Sequence, residues 1–368
     1  MLEGKTVAVV VPAHDEQELI AATLQGIPGF VDRIFVVDDA STDGTAARAR
    51  ELGDPRVEVV VHDRNRGVGA AIVTGYKRAL AARSDATAVM AGDNQMDPDE
   101  LEGLAVPVAR GELDYAKANR LFTGSAWRLI PRSRYIGNAV LSLLTKVSSG
   151  YWHVADSQAG YTVISLRMLQ LLDLDRIYTS YGFPNDMLVH LNVWNARVRD
   201  FPSRPIYGVG ERSGIKIRRV VPRISWLLWK GFFWRLREKY VIRDFHPLVF
   251  FYGLGFLMTV AGLVLGIVET ALRIAGNHIT PATIVLVALL LISGSQFTLF
   301  AMWFDMESNR HPADPAPRVV ERHRSSSPPL TPVEPDVRVP GGDELAHARA
   351  AAVQVADAVV HLDEHAGD

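Results

Sequence analysis

Two long stretches without a charged residue, 248–268 and 279–304, limit the architecture more than any other feature of this chain. A helix rises ~1.5 Å per residue, so ~20 apolar residues cross the ~30 Å hydrocarbon core of a bilayer. Both stretches are long enough, and the short connection at 273–280 joins them as a hairpin. A hairpin buried in a soluble core is the competing account. Overall composition is ordinary, at 48% hydrophobic and 22% charged residues, but the apolar residues are unevenly placed. Immediately ahead of the first stretch lie Arg218, Arg219, Arg223, Lys230, Arg235, Arg237, Lys239 and Arg243, interleaved with Trp226, Trp229, Phe232, Phe233 and Trp234. A basic aromatic segment can bind nucleic acid, but beside two apolar spans it is expected to lie as an amphipathic helix against anionic lipid. Arg310, Arg318, Arg322 and Arg324 follow the second stretch, whereas the hairpin loop holds only Arg273. That imbalance puts everything before and after the hairpin on the cytoplasmic side.

The first hundred residues follow another rule. Apolar, β-branched runs at 6–11, 33–37, 57–61 and 86–91 alternate with segments of helical spacing at 16–27 and from Gly69 to about Arg83. Short links between them argue for βαβ units and a largely parallel sheet. The runs end in polar residues at 12–16, 38–43, 65–69 and 93–95, which such a sheet lines up along its carboxyl edge, where open α/β sheets bind ligands. Each polar end alone also fits a turn or a helix cap. Together they argue for a nucleotide site. Gly67-Val68-Gly69 lacks a third glycine and follows the third strand, which excludes a dinucleotide fingerprint. Asp93 and Gln95 are hard oxygen donors at alternate positions and suit Mg²⁺ or Mn²⁺ shared with substrate phosphates. Asp97, before Pro98, fits a helix N-cap or a further ligand. The chain has no cysteine, so disulfides, thiolate zinc sites and cysteine nucleophiles are out of reach. His14, His62 and His153 show no ligand spacing, and no signal peptide is expected at the start, where Met1 to Lys5 leads into a strand.

Four ordered blocks, Val11-Pro12-Ala13-His14-Asp15-Glu16, Asp38-Asp39-Ala40-Ser41-Thr42-Asp43-Gly44-Thr45, Asn65-Arg66-Gly67-Val68-Gly69 and Gly92-Asp93-Asn94-Gln95, resemble the signatures of family 2 glycosyltransferases. The likeness is greatest to polyprenyl- or dolichyl-phosphate sugar synthases that use mannose or glucose, and it spans roughly residues 5–220. It implies a GT-A fold, a Rossmann-like, mixed but mainly parallel α/β sheet. It also implies that Pro12, Ala13, Glu16, Asp39 and Gly67 hold the nucleotide sugar, and that Asp93 and Gln95 hold the metal. One departure stands out. Ala91 occupies the position where the family usually has the first Asp of its metal motif.

The strand expected at 113–120 ends in Lys117 and Arg120, and an apolar helix runs to about Val147 after Arg132 and Arg134. Guanidinium groups present paired donors to phosphate, so these arginines are candidates for gripping one. The resemblance selects Arg120 and Arg134 for the acceptor phosphate. Asp156, in the block Asp156-Ser157-Gln158-Ala159-Gly160, resembles the family's acceptor-side carboxylate; it would orient the acceptor or steady positive charge on the sugar. Asp186 falls at the family's acidic helix position. Arg212 and Lys216, flanked by glycines, resemble its loop that closes over the diphosphate, although the serine before the lysine is missing. A generic basic loop is the other reading.

The expected layout is a GT-A catalytic domain at 1–217, an interfacial helical segment at 218–245, two spans within 246–306 and a mostly disordered cytoplasmic tail at 307–368 with a short helix at 343–362. Both termini are expected in the cytoplasm of a two-span membrane protein, and a homo-oligomer is left open. The expected activity is inverting transfer of a hexose from a GDP-mannose- or UDP-glucose-type donor to polyprenyl phosphate, with Asp93, Asp156, Arg120 and Arg134 at the chemistry. A processive polysaccharide synthase is disfavoured by the missing Gln-x-x-Arg-Trp block and by too few spans. A non-catalytic nucleotide or lipid sensor is the alternative that Ala91 motivates.

Overall fold

In the computed structural model, residues 1–121, 132–204, 217–278 and 280–309 are described, with side chains from 139 and from 220 in the helices that begin at 132 and 217. Seven strands form one sheet: β1 (Val7–Ala13), β2 (Arg33–Asp38), β3 (Val57–Val61), β4 (Ala86–Val89), β5 (Tyr115–Asn119), β6 (Thr162–Ser165) and β7 (Val198–Pro202), in the spatial order β3-β2-β1-β4-β6-β5-β7. All neighbours pair in parallel except β6, which runs antiparallel to both β4 and β5. This is the mixed, mainly parallel sheet expected from the sequence. The antiparallel strand has a consequence for the site. It places the start of β6 at the edge where β1, β2, β4, β5 and β7 all end.

Helices α1 (Ile20–Gly26), α2 (Thr45–Glu51), α3 (Val68–Ala81), α4 (Leu101–Ala109), α5 (Arg132–Ser149), α6 (Leu166–Leu171) and α7 (Phe183–Val193) connect the strands. Because strand side chains alternate between faces, β1 splits its residues between two cores. Ala8 and Val10 join Ile72 and Tyr76 of α3, while Val7, Val9 and Val11 join Ile20 and Leu24 of α1 and Leu104 of α4. Both faces of the sheet at β1 are thus covered, which is why that strand is continuously apolar.

Helix α8 (Ile217–Arg237) continues into a π-helical turn at Glu238–Arg243, and helices α9 (Leu248–Ile274) and α10 (Pro281–Ser308) follow. These last two are long and apolar enough to cross a membrane, each with a mean hydropathy of 2.2 over its most apolar window. They pack closely where side chains vanish: a Cβ on Gly255 would lie 2.6 Å from Thr298 Oγ1, and Gly294 meets Thr259 in the same way. Small residues let helix backbones approach, which is how apolar helices gain contact where water supplies no driving force.

Three expectations need correction. Helix α1 starts at Ile20 rather than near Glu16, and the backbone N–H groups of Asp15, Glu16 and Gln17 tie the preceding turn to Ser41 Oγ, Thr45 Oγ1 and Asp43 Oδ2. Strand β4 ends at Val89, although Met90 N and Gly92 N still donate to Val10 O and Pro12 O of β1, each at 3.0 Å, before Asn94 takes φ +55°. Most consequentially, the basic face of α8 and of the turn after it is divided. Trp226, Trp229 and Phe233 are exposed alongside Arg223, Lys230 and Arg237, but Arg235 and Lys239 are buried inside the protein. The tail helix expected at 343–362 lies outside the described residues.

Candidate active site

The carboxyl ends of β1, β2 and β4 form one half of the site. Gly92 N donates to Pro12 O at 3.0 Å and Asp39 N to Ala13 O at 2.9 Å, so the Pro12-Ala13 backbone is fixed between its neighbours. Gly92 carries no side chain where a Cβ would crowd Ala13 and Ile20 at 3.1 and 3.2 Å. The chain then turns at Asp93, whose Oδ1 accepts Gln95 N at 3.2 Å. Glu16 is close enough to feel Asp93: burial first, and then the Asp93 charge, push its carboxyl up to about 7.

Asp39 is buried and shapes the loop after β3. Its Oδ1 accepts Arg66 N at 2.9 Å and meets His62 Nδ1 at 2.7 Å, while Oδ2 accepts Gly67 N at 2.7 Å. His62, which shows no ligand spacing in the sequence, is a buried core histidine that spans from Asp39 to Thr74 Oγ1 at 2.9 Å. Gly67 adopts φ +94°, and a Cβ there would sit 2.5 Å from Thr179 O; one on Gly69 would sit 2.6 Å from Tyr178 O. These glycines therefore permit the loop to rest on residues 178–180. That segment is held in turn by Asp186, whose Oδ2 accepts Tyr178 N at 2.8 Å and faces His190 Nε2 at 3.6 Å. Asp186 thus supports the loop at 65–69 through residues 178–180.

The other half of the site comes from β5, β7 and the segment entering β6. Asp156 is 4% exposed and grips Arg120 in a two-point pair, Nε to Oδ2 at 2.8 Å and Nη2 to Oδ1 at 3.2 Å. Burial works against ionisation of Asp156, but Arg120 and then Lys117 outweigh it and hold the carboxyl below its ordinary range. The two halves touch: Tyr161 OH donates to Asp97 O at 3.0 Å, and a Cβ on Gly160 would meet Met96 Cε at 3.6 Å. Asp97 itself accepts Asp99 N at 3.0 Å, the N-cap of the two readings. The residues expected on both halves thus converge on one sheet edge. Arg134 lies at the start of α5, with its side chain outside the described residues, and Arg212 and Lys216 are also outside them.

A sequence of this kind hid two participants. Lys117 was legible only as a strand-end cation, yet it is fully buried beneath Asp156, and Asp200 of β7 stands opposite it in register. Period-2 alternation around Lys117 was the available signal, because it assigns that side chain to the same face as the buried Tyr115.

The model of "Glycosyl transferase family 2" matches residues 8–171. An uncharacterised glycosyltransferase of Mycobacterium tuberculosis is 32% identical over 190 residues, which cover 51% of this chain and 79% of that protein. The chain belongs to glycosyl transferase family 2. It is a glycosyltransferase. Two further relatives carry named activities. A UDP-N-acetylglucosamine–dolichyl-phosphate N-acetylglucosaminyltransferase of Methanococcus voltae is 25% identical, covering 56% of this chain and 88% of its own. A polyprenol monophosphomannose synthase of Mycolicibacterium smegmatis is 28% identical, covering 59% and 84%.

Proposed function

We propose that this family 2 enzyme transfers a hexose, with inversion, from a GDP-mannose- or UDP-glucose-type donor to polyprenyl phosphate at the cytoplasmic face of a membrane. The observation that carries the reading is the Arg120–Asp156 pair at the sheet edge shared with Asp93. Relatives named for dolichyl-phosphate and polyprenol acceptors support the acceptor class, and their different sugars leave the hexose to experiment. The proposed organisation is a catalytic domain at 1–217, an interfacial segment at 218–245, a two-span hairpin within 246–306 and a cytoplasmic tail from 307. The exposed Trp226, Trp229 and Phe233 among Arg223, Lys230 and Arg237 support a lipid-facing helix.

In the proposed reaction a phosphate oxygen of the acceptor attacks the anomeric carbon, the bond to the nucleoside diphosphate breaks, and its electron pair leaves on the diphosphate oxygen. A phosphate monoester is already anionic at neutral pH, so no general base is needed. Catalysis then rests on positioning and charge. Pro12, Ala13, Glu16, Asp39 and Gly67 would shape the donor pocket; Arg120, with Arg134, would take the phosphate; Arg212 and Lys216 would close over the diphosphate. Asp156 aims Arg120.

For the divalent metal, the proposed donors are the side-chain oxygens of Asp93 and Gln95, with Glu16 close enough to Asp93 to feel its charge. Among the described residues no group of three or more His, Asp or Glu converges to hold an ion. Such a partial set fits Mg²⁺ or Mn²⁺, which commonly take one or two protein carboxylates and complete their shell with phosphate and water. A bound ion would neutralise charge on the departing diphosphate. Nuclear magnetic resonance of the lipid product tests the mechanism: an inverted anomeric carbon is expected, and retention would overturn the single displacement.

A further inference from the structure

Lys117 has 0% exposure, and a buried ammonium is costly unless its surroundings need the charge. Its surroundings are specific. From the strand's own end comes Arg120, from the segment entering β6 comes Asp156, and from β7 comes Asp200. Lys117 Nζ donates to Ala159 O, Asp200 Oδ2 accepts Ala155 N at 2.7 Å, and Asp156 Oδ1 accepts Gln158 N at 3.2 Å. Three side chains from three elements thereby pin the turn at 155–159, and that turn is what presents Asp156 to Arg120.

Asp200 Oδ1 is buried without a hydrogen-bond partner, so its charge is answered mainly at a distance, by Lys117. Counting formal charges, Lys117 and Arg120 balance Asp156 and Asp200. Remove the lysine charge and the cluster becomes net negative where an anionic substrate has to approach.

We propose that Lys117 is a positioning residue for the acceptor phosphate: it pins the turn carrying Asp156 and balances the two carboxylates, so that Arg120 keeps a net attraction for phosphate. This rests on the acceptor reading above. Burial pushes Lys117 down to about 8 and Asp200 up to about 6, so the balanced state holds between those values and is lost as Lys117 deprotonates above them.

The test is equilibrium binding of polyprenyl phosphate, with unphosphorylated polyprenol as control, to the full chain in nanodiscs from about pH 7 to about pH 9.5. The lipid's second proton is lost near pH ~6, so it does not produce an alkaline change of its own. Wild type should prefer the phosphate and weaken above about pH 8. Lys117→Met should bind roughly tenfold or more weakly already at pH 7, as expected for one charge lost in a partly buried cluster, and show no alkaline change. Lys117→Met/Asp200→Asn, which removes both charges, should recover part of the affinity; a purely structural role would make the double variant worse. Lys117→Arg should keep neutral-pH affinity and lose the alkaline fall. Wild-type binding that stays flat to about pH 9.5, or Lys117→Met binding like wild type, overturns the proposal; the first needs no variant to fold. If wild type binds polyprenol as well as polyprenyl phosphate, the acceptor reading itself fails and takes this inference with it.

Discussion

Arg235 and Asp305 form a two-point ion pair, Nη1 to Oδ1 at 2.8 Å and Nη2 to Oδ2 at 2.7 Å, with both side chains sealed from solvent. The pair ties the amphipathic helix α8 to the end of α10. Asn192 of α7 joins it, since Arg235 Nη1 also reaches Asn192 Oδ1 at 3.2 Å and Asn192 Nδ2 donates to Asn309 at 2.7 Å. The apolar hairpin is therefore bolted to a helix of the catalytic sheet by polar contacts. Removing one partner strands a buried charge, which costs ~3–5 kcal/mol, whereas replacing both with apolar groups costs far less. Asp305→Ala should accordingly lower Tm in nanodiscs substantially, and Arg235→Met/Asp305→Leu should lower it less; thermal unfolding of the three proteins checks this.

Asp39 accepts from Arg66 N and Gly67 N and pairs with His62, so its loss should free the loop at 65–69. Asp39→Ala is expected to weaken nucleoside diphosphate binding roughly tenfold or more, on the scale of a lost charged hydrogen bond, and also to lower Tm. Calorimetric titration with GDP and UDP measures the first effect. The His62→Ala variant should show the same direction with a smaller change.

Asp93 is the carboxylate the metal reading depends on. Asp93→Asn should reduce turnover by ~10²-fold or more and should abolish the Mn²⁺ dependence of nucleotide binding while leaving Tm close to wild type. Binding measured with and without Mn²⁺ separates these outcomes.

Much of this was legible because the sequence pattern and the fold obey the same period. Strands β1 to β4 and the two apolar helices follow directly from runs of residues such as Val7 to Val11 and from charge-free length. Strand β6 escaped, since Thr162–Ser165 is four residues long and carries no alternation to distinguish it from a loop. The site residues Asp93, Asp39, Asp156 and Arg120 were legible as motif positions, but their contacts were not. Nothing local says that Asp39 faces His62 or that Asp156 holds Arg120, because those partners are 23 and 36 residues apart. Buried cations were the hardest to read. Lys117, Arg235 and Lys239 have the composition of a solvated surface, and only the tertiary fold brings Asp200, Asp305 and Asn309 to meet them.

Asp114 supplies a pH-dependent prediction away from the chemistry. Burial disfavours its charge, but bonds from Arg197 Nε at 3.0 Å and Arg167 Nη1 at 3.0 Å hold the carboxyl below its ordinary range. A carboxyl depressed on folding contributes stability above its unfolded pKa of ~3.9 and loses it as pH falls through the folded value. Asp114→Asn should therefore be less stable than wild type at pH 7, and the gap should narrow below about pH 4. Urea unfolding at both pH values checks the sign.

The central claim is tested most directly by offering the full chain, in nanodiscs with Mn²⁺, a panel of radiolabelled GDP- and UDP-sugars together with either polyprenyl phosphate or polyprenol. Label from at least one donor is expected in an organic-extractable product with polyprenyl phosphate alone. Nucleotide binding without transfer from any donor, equal transfer to polyprenol, or label in a polymer would contradict it.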